Sequence, residues 1–462
     1  MSIIRNTKVM STIRNTTAMT KKALLLFLYV AMSWQLSSCS DSEPTATLSD
    51  LSIGQTAIQL TGLSDIPAGF EVLLRNISTG SVFTQQTDSR GTATFQVTPG
   101  IYEATVTESR SSEGYAYTFN GVSGQIIVRK DQVTPVSIQL KSARTSQVII
   151  KELYCGGCMM DNGVSRFQYD KCVILYNNSS QPAVLANLCF GMGTPSNAHS
   201  LNGNYSDDGR LNYEAEGFIP VANGIWYFPD TLRIAPYKQV VVNIQGAIDN
   251  TQTVSQSVNY ANADYYCMYD PESGYTHTGY YPTPAAVIPT SHYLKAVRYG
   301  LGNGWALSVS APALVIFQTH DILPADYASN TANLWYDSGD ISQISACLKV
   351  PNSWIVDAIE VFSSGFADNS LKRLTADVDA GYVWLTNYQG HSLYRYVNSE
   401  ATEALPENAG RLVYGYSLGI NANPSNTIDA EASIRNGAHI IFQDTNNASN
   451  DFHERQQCSL KE

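Results

Sequence analysis

Beyond residue 35 the chain shows no long run of apolar residues at helical spacing, and short stretches of alternation separated by turn residues take its place. The stretch RFQYDKCVILYNNSSQPAVLANLCFG, from Arg166 to Gly191, is the most informative. Phe167 and Tyr169 alternate, and after a one-residue slip Cys172, Ile174 and Tyr176 share one face with Val173 and Leu175 on the other. That pattern predicts a strand packed on both sides. The polar run Asn177 to Pro182 breaks it, because Asn and Ser bond their own backbone and Pro fixes φ. A second apolar run, Ala183 to Phe190, then predicts the other arm of a hairpin.

The same signals divide the rest of the chain. Glu71 to Arg75 reads as a strand, Asn76 to Gly80 and Thr87 to Gly91 as turns, and Ala93, Phe95 and Val97 as inward positions of a further strand. Thr98-Pro99-Gly100 turns the chain into Ile101 to Val106, and Val136, Ile138 and Leu140 close this first unit. Val148 to Tyr154 opens a second, to which Gly224 to Pro229 and Leu232 to Ile244 add strands. The expected fold is all-β, a smaller sandwich followed by a larger one with long irregular loops.

Composition agrees, since charged residues make up 15% of the chain against about 25% in a typical domain. The first 38 residues hold five cations and no acid, and Ala23 to Met32 is apolar but too short to span a bilayer comfortably. This reads as a signal peptide, with translation starting at Met1 or at Met19. Without those five cations, 23 basic residues face 40 acidic ones, a net −17. So acidic a chain is excluded from holding nucleic acid by phosphate neutralisation.

Several segments resemble known families. Leu36-Ser37-Ser38-Cys39 is similar to a lipoprotein cleavage box, which implies a lipidated Cys39; the alternative is a plain secreted protein. Ser40-Asp41-Ser42-Glu43 resembles the surface-export tag of Bacteroidota lipoproteins, or serves as a solvated linker. The turn and strand order of the first unit resembles prealbumin-like modules of the carboxypeptidase-regulatory type, with an Ig-like sandwich implied. Arg166 to Gly191 resembles the lamin-tail signature, with Pro236-Tyr237 where a Pro-Gly turn is usual. Tyr281 to Pro284, Ile288 to Lys295, Gly300 to Trp305, Trp354 to Phe362, Lys372 to Leu374 and Gln443 to Phe452 resemble an uncharacterised family of Bacteroidota surface lipoproteins. The implied organisation is a signal peptide at 1–38, an acidic tether at 39–46, the prealbumin-like sandwich at 47–142 and a lamin-tail-like unit at 146–460. The last contains a Tyr-rich insertion around 255–300.

Candidate chemistry is sparse. Cys155-Gly-Gly-Cys158 has redox spacing but follows a strand instead of opening a helix, so nothing lowers the thiol pKa. Cys155, Cys158, Cys172 and Cys189 are candidates for a structural disulfide or for buried free thiols, and sixteen residues between the last two fit a zinc site poorly. Gly415-Tyr-Ser417-Leu-Gly419 matches the nucleophile-elbow spacing, yet a loop follows in place of the required helix. Asp377 and Asp379 would share a strand face. No catalytic residue, cofactor or metal is expected.

The segment Tyr260 to Tyr299 stands out. Tyr265, Tyr266, Tyr269, Tyr275, Tyr280 and Tyr281 are candidates for a ligand- or partner-binding surface, since tyrosine gives large amphipathic contact area at low entropy cost. The competing expectation is a lid over a sandwich edge. The leading reading is therefore a non-catalytic binding or accessory lipoprotein, anchored by lipid in the outer membrane and exposed at the cell surface. The family resemblance implies work beside an outer-membrane transporter of the TonB-dependent type, with a glycan or protein ligand. The alternatives are an extracellular hydrolase of glycans or nucleic acid, and a structural surface component.

Overall fold

A computed structural model describes residues 53–461, apart from 64–66, 113–114, 208, 337–341, 343 and 421–427. The leader, Cys39 and the acidic tether lie outside the described residues, as does most of the loop expected after Gly419. The chain is all-β, and among the described residues no α-helix is longer than six residues.

The N-terminal strands form two sheets. In the first, Gly54–Thr61 runs antiparallel to Thr92–Val97 and parallel to Val133–Gln139. In the second, Glu71–Asn76 pairs with Val82–Gln86 and with the long strand Gly100–Ser112, which continues through Tyr115–Val122 to Lys141–Ser146. The alternation read from the sequence faces a shared core of Ile58, Val72, Leu74, Phe95, Tyr102 and Ile138. The turns close as their residue types require. Asn76 Oδ1 accepts from the amides of Ser78 and Thr79, and Asp88 Oδ1 from those of Arg90 and Thr92.

The larger part is layered. A seven-stranded sheet runs in the order Tyr266–Cys267, Gln239–Asn243, Cys172–Asn177, Val148–Tyr154, Ser392–Arg395, Phe452–Arg455, Gly419–Ile420. Facing it, a six-stranded sheet runs Lys295–Arg298, Gly224–Tyr227, Leu188–Met192, Ala313–Gln318, Ile355–Ser363, Val383–Leu385. Val173, Leu175 and Leu153 from the first meet Phe190, Trp226, Ile316 and Val361 from the second. The outer face of the six-stranded sheet is covered in turn by Phe218–Ala222, Ala346–Pro351 and Leu334–Tyr336, with Val315 and Phe317 packing against Val221 and Leu348. Burial on both faces explains why Ala313 to Phe317 reads as an unbroken apolar run.

Cys172–Asn177 is packed on both sides as expected, with Ile174 and Cys172 against Val258 and Tyr260 on the face opposite Val173. The hairpin is a different matter. Cys172–Asn177 pairs with Val148–Tyr154 and Gln239–Asn243, not with the residues after Pro182. Ala183–Leu185 pairs with Leu232–Ile234, and Leu188–Met192 lies in the middle of the opposite sheet. The polar run is a crossing between sheets. Asn177 Nδ2 anchors it, donating to the carbonyls of Gln181 at 2.7 Å and Ile234 at 3.0 Å.

At the Pro236-Tyr237 turn, Tyr237 adopts φ +54°, the left-handed conformation usually left to glycine. The Lys238 amide bonds the Ala235 carbonyl, so the turn closes regardless. Tyr237 is buried and stacks on His439 at 4.5 Å, contacts that hold the strained backbone in place. Asp377 and Asp379 lie in a turn instead of a strand. Asp379 is buried, accepting from the amides of Glu360, Gly381 and Ala448, while Asp377 is exposed, so the two share no face.

Candidate functional site

The Tyr-rich segment connects Gln239–Asn243 to Lys295–Arg298 and contains only one two-residue strand, Tyr266–Cys267. Its rings and its turn hydrogen bonds together fix its course. Tyr260 is fully buried and donates to the Asp170 carbonyl at 2.7 Å, and Tyr299 donates to that of Val221 at 2.6 Å. Tyr275 stacks on Trp226 at 5.7 Å and donates to the Asn223 carbonyl. Tyr281 packs against the main core, and its hydroxyl accepts from the Trp305 amide at 2.9 Å. Burial pushes the Tyr275 and Tyr281 phenols upward.

Of the six candidate binding tyrosines, Tyr275 is therefore a core residue, and the half-buried Tyr281 packs against the core with its hydroxyl turned inward. The physical reason is that a buried tyrosine needs a partner for its hydroxyl, and both find one inside. Tyr265, Tyr266 and Tyr269 are half-buried. Tyr266 stacks on His292 at 4.1 Å, Tyr269 meets Tyr293 edge-on, and Tyr265 packs beside Tyr260.

Tyr280 differs. The turn from His277 to Tyr281, closed by bonds from the Tyr280 and Tyr281 amides to the His277 carbonyl, stacks the Tyr280 ring on His277 at 3.9 Å. Tyr169 joins them at 5.5 Å from Tyr280, and Phe167 stands edge-on to Tyr169 at 5.8 Å. All four rings are half-buried, so each leaves part of its surface to solvent. Their base is rigid. The Gly246 amide bonds the Tyr280 carbonyl, and Gly246 at φ +75° lies so close to Tyr169 that a Cβ would sit 2.1 Å from its carbonyl oxygen.

Beneath this ridge are Asp170, Lys171, Tyr154 and Ser257. Burial raises the Asp170 carboxyl to about 6, against the pull of the Ser257 and Tyr154 hydroxyls that donate to it at 2.6 and 2.9 Å. Burial lowers the Lys171 ammonium to about 8, and its Nζ donates to Gln245 and to the Gln168 carbonyl. These groups brace the fold and are shut away from the surface.

The remaining sequence candidates are not assembled into a site. The seven described cysteines are buried free thiols, and burial raises both Cys155 and Cys158 to about 12, far from a reactive thiolate. Ser417 is exposed, and the nearby His453 is bonded to Tyr416 and pushed down to about 3 by burial, too weak a base to activate a hydroxyl. Among the described residues no group of three or more His, Cys, Asp or Glu is placed to hold a metal, and no helix is long and apolar enough to cross a membrane.

Sequence reasoning passed over two features. One is a set of buried ion pairs, Arg373 with Glu360 at 2.6 Å and Arg395 with Asp357 at 2.5 Å, which join residues 13 and 38 positions apart. The other is Tyr382-Val383-Trp384, whose alternation on an edge strand signals two rings on one outward face.

Fold and site together define an all-β sandwich protein with aromatic surfaces and no assembled catalytic set among the described residues. Residues 235–415 match the family described as Protein of unknown function (DUF4876), in keeping with the expected uncharacterised Bacteroidota family. A DUF4876 family protein from Bacteroides thetaiotaomicron VPI-5482 has a similar fold, at 20% identity and a TM-score of 0.51 over 86% of this chain and 94% of that one. A 9R-lipoxygenase from Cyanothece PCC8801 is aligned at 17% identity over 27% of this chain and 22% of that one, with a TM-score of 0.13. No curated protein matches the chain.

Proposed function

We propose that this protein is a non-catalytic accessory lipoprotein, held in the outer membrane by lipid on Cys39 and exposed at the cell surface. Its partner in this reading is an outer-membrane transporter, met through the ridge of Phe167, Tyr169, His277 and Tyr280. The observation that carries the proposal is the ridge itself. Four half-exposed rings within ring-contact distance, on a backbone pinned from below, give preorganised amphipathic area of the kind that anchors protein interfaces. The apolar run ahead of Leu36 to Cys39 supports the anchor, and the net negative charge leaves the lipid as the means of attachment to an anionic membrane.

Two experiments test it. Cys39→Ala should release the chain from the membrane fraction; a variant that still fractionates with membranes and takes up labelled palmitate contradicts the anchor. Tyr169→Ala with Tyr280→Ala should abolish co-purification of the transporter while leaving the fold intact.

A further inference from the structure

The strand Val383–Leu385 forms one edge of the six-stranded sheet, pairing in parallel with Ile355–Ser363. Burial alternates from Tyr382 to Thr386. Val383 and Leu385 enter the core, while Tyr382, Trp384 and Thr386 share the outward face. Phe362, in register with Trp384, forms a buried floor on which the Tyr382 ring lies at 4.1 Å and 13°. Trp384 stands at 85° to Tyr382, 5.3 Å away, and remains 39% exposed. Two rings thus make an open right-angled corner on a fixed base. Ser449 locks one side of it, its hydroxyl bonding both the amide and the carbonyl of Tyr382.

On the other side the apolar surface stops at Thr386. The Thr386 amide and hydroxyl donate to Glu454, at 2.7 and 3.2 Å, and Glu454 also pairs with His391 Nδ1 at 2.7 Å. The corner is therefore an apolar face with a polar rim, both preorganised by contacts within the protein.

We infer that this corner binds a neutral glycan. A pyranose presents C–H bonds on one face and hydroxyls around its edge, so its face stacks on Trp384 while its edge reaches the rim. The hydroxyl-rich edge of a sugar matches the half-buried Thr386 hydroxyl and His391 imidazole, which the buried Glu454 carboxylate holds in place. Sugars that carry carboxylate, sulfate or phosphate are disfavoured by Glu454 and by the chain's net charge of −12. A protein partner needs a broader apolar core than two rings bounded by Thr386 and Ser449. The site uses none of the ridge residues and does not rest on the function proposed above.

The test is native electrophoresis of the full-length chain through gels containing starch, xylan, mannan or laminarin, with polygalacturonate as the acidic control. At least one neutral polysaccharide should retard the protein. Trp384→Ala should weaken that retardation about tenfold or more at an unchanged melting temperature, Trp384→Phe should retain part of it, and Tyr280→Ala should leave it intact. His391→Ala provides a second reading from the rim if Trp384→Ala melts early, and should also weaken retardation. Failure of all four neutral polysaccharides to retard the protein, retardation by polygalacturonate alone, or full retardation of both the Trp384 and His391 variants overturns the proposal. So does loss of a protein partner in Trp384→Ala without any effect of polysaccharide.

Discussion

Replacing Tyr281 distinguishes a lid from a binding surface. Its hydroxyl accepts the Trp305 amide at 2.9 Å, and its ring lies 5.6 Å from Trp226 and 6.1 Å from Tyr275. Tyr281→Phe keeps the ring and strands the amide, which costs about 1–3 kcal/mol. Tyr281→Ala also removes a half-buried ring from the core edge, for which the cost of truncating a fully buried aromatic, about 3–5 kcal/mol, is the upper bound. At roughly 1.5 °C per kcal/mol for a unit of about 300 residues, the phenylalanine variant should melt roughly 1–5 °C early and the alanine variant up to roughly 8 °C early. Tyr280→Ala forfeits only ring contacts worth about 0.5–1.5 kcal/mol each and should melt closer to the native protein. Calorimetry on the full-length chain reads all three. A Tyr281→Ala variant melting no earlier than the native protein would refute the placement of this ring, and with it the account of the segment as a lid.

The buried charges give two more predictions. Burial raises Asp170 from 3.8 to about 6, so the folded state holds its proton more tightly than the unfolded chain does. The resulting stability is complete below pH 3.8 and is lost as pH rises through about 6, so native stability relative to Asp170→Asn should increase as pH falls from 7 to 4. Chemical denaturation of both proteins across that range checks the sign, and the opposite trend contradicts it. Arg373→Met leaves Glu360 buried without its ion-pair partner, both side chains having no exposure, and should cost about 3–5 kcal/mol. Part of that should return in the double variant with Glu360→Gln, measured by the same denaturation curves; equal losses in the single and double variants would contradict the pairing.

What the sequence revealed followed from period and turn chemistry. Ala93, Phe95 and Val97 alternate into a core as read, and a strand apolar on both faces at Cys172–Asn177 proved to be buried on both. Pairing partners were not legible, because a period of two places a side chain on a face without saying which strand lies beside it. The apolar run after Pro182 was therefore assigned to a hairpin, although it belongs to the other sheet. The tyrosines raised a similar difficulty. Composition marks them as amphipathic, but only the positions of the Asn223 carbonyl and the Trp305 amide decide that Tyr275 and Tyr281 turn inward while Tyr280 does not. Phe167 and Tyr169 approach the Tyr280 ridge from more than a hundred residues away, a contact no local pattern encodes. By contrast, the outward pair Tyr382 and Trp384 follows from simple alternation and was open to reading.

The central claim, that the ridge docks a partner, is tested most directly by one measurement. The native chain and the Tyr169→Ala, Tyr280→Ala double variant are captured from outer-membrane extract after cross-linking, with melting curves recorded beside them. The account predicts that a transporter co-purifies with the native chain and that its recovery falls about 30-fold or more in the double variant, the effect of losing roughly 2 kcal/mol at an aromatic anchor. The melting temperature should shift by only a few degrees. Equal recovery of the transporter by the two proteins, with both folded, would contradict it.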